Sequence, residues 1–187
     1  EFNLGVDMGF LNNRINVVFD WFTRRNYDLI GIVNTLGTGI GINQLANAAD
    51  MNSHGVELTL STRNMARKDF SWNTSINLSL NKNEVISISN DQFSADYFDE
   101  ANIEAAGQSG MRQQRIEAGR PLGSFYTWKW AGYSENGVSI YHTKDGKTTT
   151  TPSKEDRFWT GSAQPKLNFG WNNTLNYKNW SMTMFFT

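Results

Sequence analysis

Residues 55–82 read GVELTLSTRNMARKDFSWNTSINLSLNK. Apolar and polar residues alternate over 56–61 and again over 70–81, and a period of two is typical of β-strands. In the second run one face carries only Ser and Asn, so we expect that face to contact water along its whole length. The short polar segment 63–69 between the runs predicts an antiparallel hairpin. Such a hairpin fits one wall of a membrane barrel or one leaf of a soluble sandwich.

Bulk composition excludes some classes of protein but does not choose between these two. The 187 residues carry a formal charge of −1, which gives no electrostatic case for binding nucleic acid or anionic lipid. There are no cysteines, so a disulfide framework and a Cys-based zinc site are both excluded. No apolar run approaches the roughly 18 residues of a membrane helix. The chain starts at Glu1 and ends within an apolar alternation, so we expect a segment cut from a longer protein.

Alternation elsewhere predicts an all-β antiparallel meander. Residues 12–13 and 178–179 are plausible two-residue turns between strands. The predicted wall strands are 2–11, 14–26, 54–64, 70–82, 165–177 and 180–187. Two long excursions, 27–53 and 83–164, interrupt them. We expect a short helix near 44–49 in the first excursion, and small strands around an Asp-Gly turn at 145–146 in the second.

Short and long connections alternate along the chain. Outer-membrane barrels show this asymmetry, with short periplasmic turns and long extracellular loops, whereas a sandwich has no reason to place all its short turns at one end. The strand before the excursion 83–164 would run outward and the strand after it inward, so the excursion must contain an even number of wall strands. Zero is the simplest number, and one extra pair is the alternative. Aromatic residues on the apolar face beside the short turns favour an interfacial girdle over a sandwich core: Phe10, Phe70, Trp72, Tyr177 and Trp180.

Six stretches of the chain also resemble sequence motifs of a known family. They are GVDMGFLNNRI (5–15), NSHGVELTL (52–60), DFSWNTSIN (69–77), NKNEV (81–85), GRPLGSFY (119–126) and the segment 161–186 with its Pro-Lys start at 165–166. In this order and spacing they resemble the C-terminal barrel region of SusC/RagA-type TonB-linked outer-membrane proteins of Bacteroidetes.

The resemblance implies a TonB-dependent receptor in the cell outer membrane, with a 22-stranded transmembrane β-barrel, long extracellular loops and an N-terminal plug. It implies energy from TonB, a SusD-like surface lipoprotein as partner, and import of oligosaccharides, peptides or other large nutrients. The barrel wall would contact outer-membrane lipid, and nothing implies nucleic acid or a cofactor. Six wall strands cannot close such a barrel, so we expect this segment to transport nothing by itself.

Catalytic and metal chemistry find no support in the sequence. The two histidines, His54 and His142, lack Cys or close carboxylate companions at metal-ligand spacing. The acidic residues Asp96, Asp99, Glu100 and Glu104 do not have the spacing of ligand residues in a calcium-binding loop, so we interpret them as part of a solvated loop. No Gly-x-Ser-x-Gly elbow is present, and no pair of carboxylates stands out as in a glycosidase. We therefore expect no catalytic, metal or cofactor residues, and a protein that is not an enzyme.

Ligand binding has a better case. Loop aromatics with flat apolar faces can stack on sugar rings, although packing of the excursion's own small core is the commoner role of such residues: Phe125, Tyr126, Trp128, Trp130 and Tyr141. Lumen-facing Asp7, Asp20 and Glu57 are candidates for contact with the plug. Two alternatives remain open, a soluble carbohydrate-binding β-sandwich and an outer-membrane barrel enzyme, and the latter requires a catalytic group that the sequence does not reveal.

Overall fold

The computed structural model describes residues 1–34, 43–89, 95–100 and 112–187. Its strands are β1 (Phe2–Phe10), β2 (Ile15–Asn34), β3 (Asn43–Ala66), β4 (Phe70–Ser87), β5 (Tyr97–Glu100), β6 (Gln114–Glu117), β7 (Ser124–Trp128), β8 (Trp130–Tyr133), β9 (Ser139–His142), β10 (Thr148–Thr149), β11 (Arg157–Ser162), β12 (Asn168–Tyr177) and β13 (Trp180–Phe186). A single 3-10 turn of the described chain, Lys154–Asp156, precedes β11. Across these residues no helix has both the length and the apolar character needed to cross a bilayer.

The largest sheet has six strands in the order β1-β2-β3-β4-β12-β13. Its register places residues of like character opposite one another: Val6 faces Phe19 in β2, and Ile76 of β4 faces Trp171 of β12. Because neighbouring side chains along a strand point to opposite faces, this register collects the apolar residues on one face and the polar residues on the other. The sheet is open, with β1 and β13 at its two edges.

β12 pairs directly with β4 over ten residues, from Asn168 opposite Ser79 to Tyr177 opposite Phe70. The described strands between them in sequence, β5 to β11, form two separate sheets. The polypeptide between β4 and β12 therefore adds no described strand to the six-stranded sheet, which corresponds to the simpler of the two parity solutions.

The prediction of a short helix near 44–49 is wrong, because these residues belong to β3. Strands β2 and β3 lie so close here that a Cβ on Gly31 would come within 2.9 Å of the Cβ of Ala48. The backbone N–H of Asp28 also donates to the side chain of Asp50 at 3.0 Å. Small residues with good helix propensity form a strand in this segment because pairing with the next strand overrides local preference.

Left-handed backbone marks the tight turns of this sheet. Leu11, Asn12 and Asn13 all have φ between 53° and 60°, and Lys178 has a φ of 51°. Asn tolerates this region better than most residues, which explains why two asparagines occupy the first turn. The turn after β3 is closed by a bond of 2.7 Å from the N–H of Arg67 to the carbonyl of Phe70.

Contacts divide the chain into two compact units. One contains 1–26, 52–83 and 165–187, and the other contains 27–51 and 84–164. The second unit holds a three-stranded sheet, β10-β9-β8, and a four-stranded sheet, β11-β7-β6-β5. Its most buried apolar residues are Ala48, Val85 and Ile88.

Candidate functional site

The apolar face of the six-stranded sheet is open to its surroundings. Leu4 is 56% exposed and Trp180 is 80% exposed, whereas such residues normally form the core of a water-soluble protein. Contiguous exposed apolar surface of this kind marks contact with another protein or with a membrane. Further exposed members on β1, β2, β4, β12 and β13 are Phe2, Val6, Met8, Phe10, Phe19, Trp21, Trp72, Phe169, Trp171, Tyr177 and Met182.

A chain of polar side chains crosses this apolar face. Thr62 donates to Asn64, Asn64 donates to Thr74, and Thr74 donates to Asn173, over distances of 2.9, 2.7 and 2.7 Å. The indole N–H of Trp72 also donates to the Asn173 side-chain oxygen at 3.1 Å. Asn173 is only 4% exposed. Asn64, Thr74 and Asn173 each have a partner on an adjacent strand, and Thr62 bonds Asn64 within β3, so none of these four side chains lacks a partner against the apolar surround.

The opposite face carries hydroxyls, amides and carboxylates. Thr59 donates to Asn77 at 3.0 Å, and Asn176 donates to Ser71 at 3.1 Å. A hollow of about 260 Å³ is lined mainly by residues of this face, together with Thr62 and Thr74 of the apolar face: Asn13, Asn16, Ser61, Arg63, Asn73, Ser75, Asn172 and Thr174. Within the described structure the buried side-chain oxygen of Asn172 has no hydrogen-bond partner. This polar hollow can therefore accept a water molecule or another hydrogen-bond donor.

The five aromatic residues predicted as ligand contacts lie in the two loop sheets, where Trp130 is the register partner of Tyr141. Tyr126 lies 4.9 Å from the Trp159 ring, and Trp128 lies 6.0 Å from the Tyr141 ring while its indole N–H donates to the Ser153 carbonyl at 2.6 Å. These three predicted residues, Tyr126, Trp128 and Tyr141, thus pack against neighbours within the second unit. Their contacts match the packing alternative that the sequence also allowed.

Phe125 and Trp130 differ from those three. Phe125 is half-buried and points to the face of β7 opposite Tyr126, because it is the adjacent residue on the strand. Trp130 is 55% exposed and meets the 67% exposed Tyr133 edge-on, with ring centroids 5.3 Å apart. Among the described residues, Trp130 and Tyr133 therefore form an aromatic pair whose rings remain accessible.

A charged cluster connects three strands of the second unit. The Asp99 carboxylate accepts hydrogen bonds from Arg115 at 2.7 and 3.2 Å and from Arg157 at 3.1 Å. The Arg115 guanidinium lies between two tyrosine rings, with its central carbon 3.4 Å from the Tyr97 centroid and 4.0 Å from the Tyr126 centroid. A cation between two aromatic faces gains from both rings, so this cluster fixes β5, β6 and β11 to one another.

Burial alone would raise the pKa of the Asp99 carboxyl, but hydrogen bonds and charge from Arg115 and Arg157 outweigh burial, so the pKa lies below its usual value. For Arg115, burial opposes the charged form, and the Asp99 carboxylate more than compensates, which raises the pKa of the guanidinium. Both groups therefore stay charged at neutral pH. An arginine and a carboxylate locked together in this way serve structure and leave no poised acid or base.

The acidic stretch and the histidines behave as structural residues where they are described. Asp99 belongs to the arginine cluster, and Asp96 lies in a bend, while Glu104 lies outside the described residues. His54 is exposed on β3 and His142 is half-buried on β9. No group of three or more His, Cys, Asp or Glu residues in the described parts of the chain could hold a metal ion.

The sequence did not reveal the Asp99, Arg115 and Arg157 cluster or the role of Tyr133. The cluster joins residues 16 and 58 positions apart, and no local spacing encodes such contacts. Arg115 stands between Gln114 and Ile116 in a short strand, and this local sequence gives no sign that the arginine is buried and paired. Tyr133 lies three residues after Trp130, beyond a glycine, where a bulge in β8 turns the side chains.

An antiparallel open sheet with one exposed apolar face and one polar face defines a class of protein. It fits a fragment of a β-barrel wall, in which apolar residues face lipid and polar residues face the lumen. Comparison with solved structures supports the same fold: the chain superimposes on the RagAB peptide transporter with a TM-score of 0.80 at 23% identity, over 98% of this chain and 20% of that one.

No family model matches the chain, but curated relatives do. TonB-dependent receptor P3 of Formosa agariphila is 29% identical over 100% of this chain and 20% of its own length. TonB-dependent receptor SusC of Bacteroides thetaiotaomicron is 27% identical over 97% of this chain and 18% of its own length. The chain thus spans about a fifth of the length of these relatives. The resemblance to SusC/RagA-type TonB-dependent receptors is confirmed, as is the all-β antiparallel fold, and the similarity is to a partial segment of such a receptor.

Proposed function

We propose that this chain forms part of the barrel wall, and two loop excursions, of a TonB-dependent outer-membrane transporter. The main support for this proposal is the six-stranded sheet, whose apolar face is exposed and whose polar face has hydrogen-bonding side chains. A membrane wall is the setting in which both faces are satisfied, one by lipid and the other by water in the lumen. The polypeptides 27–53 and 83–164 would lie at the extracellular side, because the opposite end carries the short turns.

The transporter is proposed to import oligosaccharides or other large nutrients, glycan or peptide, without being an enzyme. The curated relatives are named as TonB-dependent receptors, SusC among them, and the structural neighbour is a peptide transporter. Energy from TonB and a SusD-like surface lipoprotein as partner follow from the same similarity. Nothing in the arrangement of the described charged residues resembles a poised catalytic pair, since Asp99 is locked between arginines.

Within the second excursion, the aromatic residues are proposed to divide their roles. Trp130 and its neighbour Tyr133 present accessible rings that suit stacking on a sugar or on an apolar peptide side chain. Phe125, Tyr126, Trp128 and Tyr141 would support ligand contact indirectly by holding the loop sheets in place. The soluble carbohydrate-binding sandwich is the weaker candidate, because a sandwich buries the face that carries Leu4 and Trp180.

Spin-label accessibility tests the membrane wall directly. Single labels are placed at consecutive positions 71–80 of β4 in the intact receptor in lipid, and collisions with a lipid-soluble and a water-soluble quencher are compared. Even positions should contact the lipid-soluble quencher and odd positions the water-soluble one. Shielding of both sets from lipid would reject the barrel wall and promote the sandwich.

A further inference from the structure

The three short turns of the six-stranded sheet are rich in cations. We call them the basic edge, and its cationic residues are Arg14, Arg63, Arg67, Lys68 and Lys178. The segments 11–14, 63–69 and 178–179 contain one acidic residue, Asp69. This local excess of positive charge is hidden in the formal charge of −1 for the whole chain, so bulk charge alone gave the wrong impression of this edge.

Hydrogen bonds hold the three turns side by side. The N–H of Arg63 donates to the Arg14 carbonyl at 2.8 Å, and the Arg14 guanidinium donates to the Asn64 carbonyl at 3.0 Å. The N–H of Lys178 donates to the Asp69 carbonyl at 2.9 Å. The cations are therefore gathered at one end of the sheet by backbone geometry and not scattered over its surface.

Arg67, Lys68 and Lys178 border a hollow of about 500 Å³. The remaining lining residues are Asp69, Phe70, Ser71, Asn176 and Asn179. The three cationic residues are exposed and supply charged hydrogen-bond donors, whereas Ser71 and Asn176 belong to the polar face and are bonded to each other. This combination of charge and donors suits a phosphate group, whose oxygens accept several charge-assisted hydrogen bonds at once.

The basic edge continues directly into exposed aromatic surface. Tyr177 lies opposite Phe70 and Trp180 in register, and the Lys178 ammonium nitrogen lies 5.4 Å from the Tyr177 ring centroid. Tyr and Trp favour the headgroup level of a membrane, and cationic side chains beside them extend toward lipid phosphates. Anionic lipid attracts each such cation further.

We propose that the basic edge binds the phosphate groups of anionic phospholipid in the leaflet at the short-turn end of the barrel. This proposal rests on the proposed membrane wall and adds a lipid class and a site to it. Anionic lipid fits better than an acidic protein segment, because the cations adjoin an exposed aromatic face that a lipid acyl chain can cover.

The test uses the intact receptor in detergent, titrated with equal amounts of phosphatidylglycerol and phosphatidylcholine, with bound lipids counted by native mass spectrometry. One variant carries Arg67→Gln, Lys68→Gln and Lys178→Gln. The matched control carries Lys82→Gln, Lys129→Gln and Lys166→Gln, which removes the same charge from exposed lysines elsewhere. We expect the unaltered receptor and the control to prefer phosphatidylglycerol, and the edge variant to lose that preference by roughly tenfold.

Equal binding of both lipids by the unaltered receptor, or an undiminished preference in the edge variant, would overturn the proposal. If either of those results came together with an acidic polypeptide that copurifies with the unaltered receptor but not with the edge variant, the occupant of the basic edge would be a protein segment instead. Spin labels on β4, measured in the same preparations, separate this failure from failure of the membrane wall. Lipid contact at the even positions without any phosphatidylglycerol preference rejects the lipid site alone.

Discussion

Thr74 donates a hydrogen bond of 2.7 Å to Asn173 across neighbouring strands on the apolar face of the sheet. The polar face contains a pair of the same residue types, in which Thr59 donates to Asn77 at 3.0 Å. The two pairs share chemistry and strand geometry but differ in surroundings, since Asn173 is buried and the second pair is exposed. The two pairs therefore allow a hydrogen bond shielded from water to be compared with one exposed to water in the same sheet.

Double-mutant cycles on these pairs should give unequal coupling energies. Thr74→Val with Asn173→Leu should couple by about 1.5 kcal/mol, because water does not replace the lost bond there, although Trp72 still donates to Asn173 and Asn64 to Thr74 in the single variants. Thr59→Val with Asn77→Leu should couple by less than about 0.5 kcal/mol, because water replaces the lost partner. Urea unfolding of the intact receptor in phospholipid vesicles measures both. Equal coupling at the two sites would contradict the assignment of a dry face.

Gly55 is expected to be intolerant of a side chain. A Cβ at this position would meet the Leu80 carbonyl oxygen and come within 2.7 Å of the Phe22 ring, so Gly55→Ala must displace either the backbone of β4 or a packed ring. We expect a loss of about 1–3 kcal/mol in the free energy of unfolding, typical of overpacking.

Gly170→Ala provides the matched control for that substitution. Gly170 lies in β12 of the same sheet, and its nearest neighbour to an added Cβ is the Phe185 ring at 3.6 Å, which is ordinary contact. The midpoint of urea unfolding should therefore change little in Gly170→Ala and clearly in Gly55→Ala. Similar midpoints for the two variants would show that β3 and β4 adjust without cost.

Alternation in the sequence was enough to predict the two faces of the main sheet. β4 and β12 each alternate cleanly, so their apolar residues, such as Ile76 and Trp171, could be assigned to one face before their pairing was known. Pairing between β4 and β12 was harder, because alternation carries no information about which strand lies beside which. Connection lengths reduced the choice to two arrangements, and among the described residues β12 pairs directly with β4.

The sequence was less informative about the loop excursions. Residues 44–49 contain small residues whose local preference is helical, and only pairing between β2 and β3 makes them a strand. The roles of the aromatic residues depend on contacts between separate strands, such as that of Trp128 with Tyr141. Long-range contacts of this type follow from the folded structure and have no counterpart in local spacing.

Trp128 and Trp130 should respond in opposite ways to truncation. Trp128→Ala removes the contact with Tyr141 and the hydrogen bond to the Ser153 carbonyl, so it should cost about 3 kcal/mol in the stability of the loop sheets. Trp130→Ala should leave stability within about 0.5 kcal/mol, since its ring is largely exposed.

For ligand binding, in contrast to stability, Trp130→Ala should have a larger effect than Trp128→Ala. If Trp130 stacks on the imported nutrient, Trp130→Ala should weaken binding of a glycan or peptide library to the intact receptor by about tenfold, corresponding to 1–1.5 kcal/mol. Hydrogen exchange reports loop stability, and isothermal titration reports binding. Unchanged binding in Trp130→Ala together with unchanged exchange would remove Trp130 from the list of ligand contacts.

Asp99 should make the second unit sensitive to acid. Because its pKa is lowered in the folded protein, its stabilising contribution is fully present above its ordinary value of 3.8 and is lost as the pH falls through the lowered value. Asp99→Asn should cost about 3 kcal/mol near neutral pH, because Arg115 and Arg157 would keep their charges in a largely buried position without a carboxylate. The difference between the variant and the unaltered receptor should then shrink under acid conditions.

Asp145→Asn is the control for this pH dependence. The pKa of Asp145 is lowered to about 2, chiefly by a hydrogen bond from Thr143 and then by Lys147, but the carboxylate is exposed and neutralises no buried cation. Pulsed hydrogen exchange of residues 112–128 in the intact receptor, measured across the acid range and corrected for intrinsic rates, follows the loop sheets directly. An Asp99→Asn variant that keeps the full acid sensitivity of the unaltered receptor would assign that sensitivity to other carboxylates, because a side chain that no longer titrates cannot carry it.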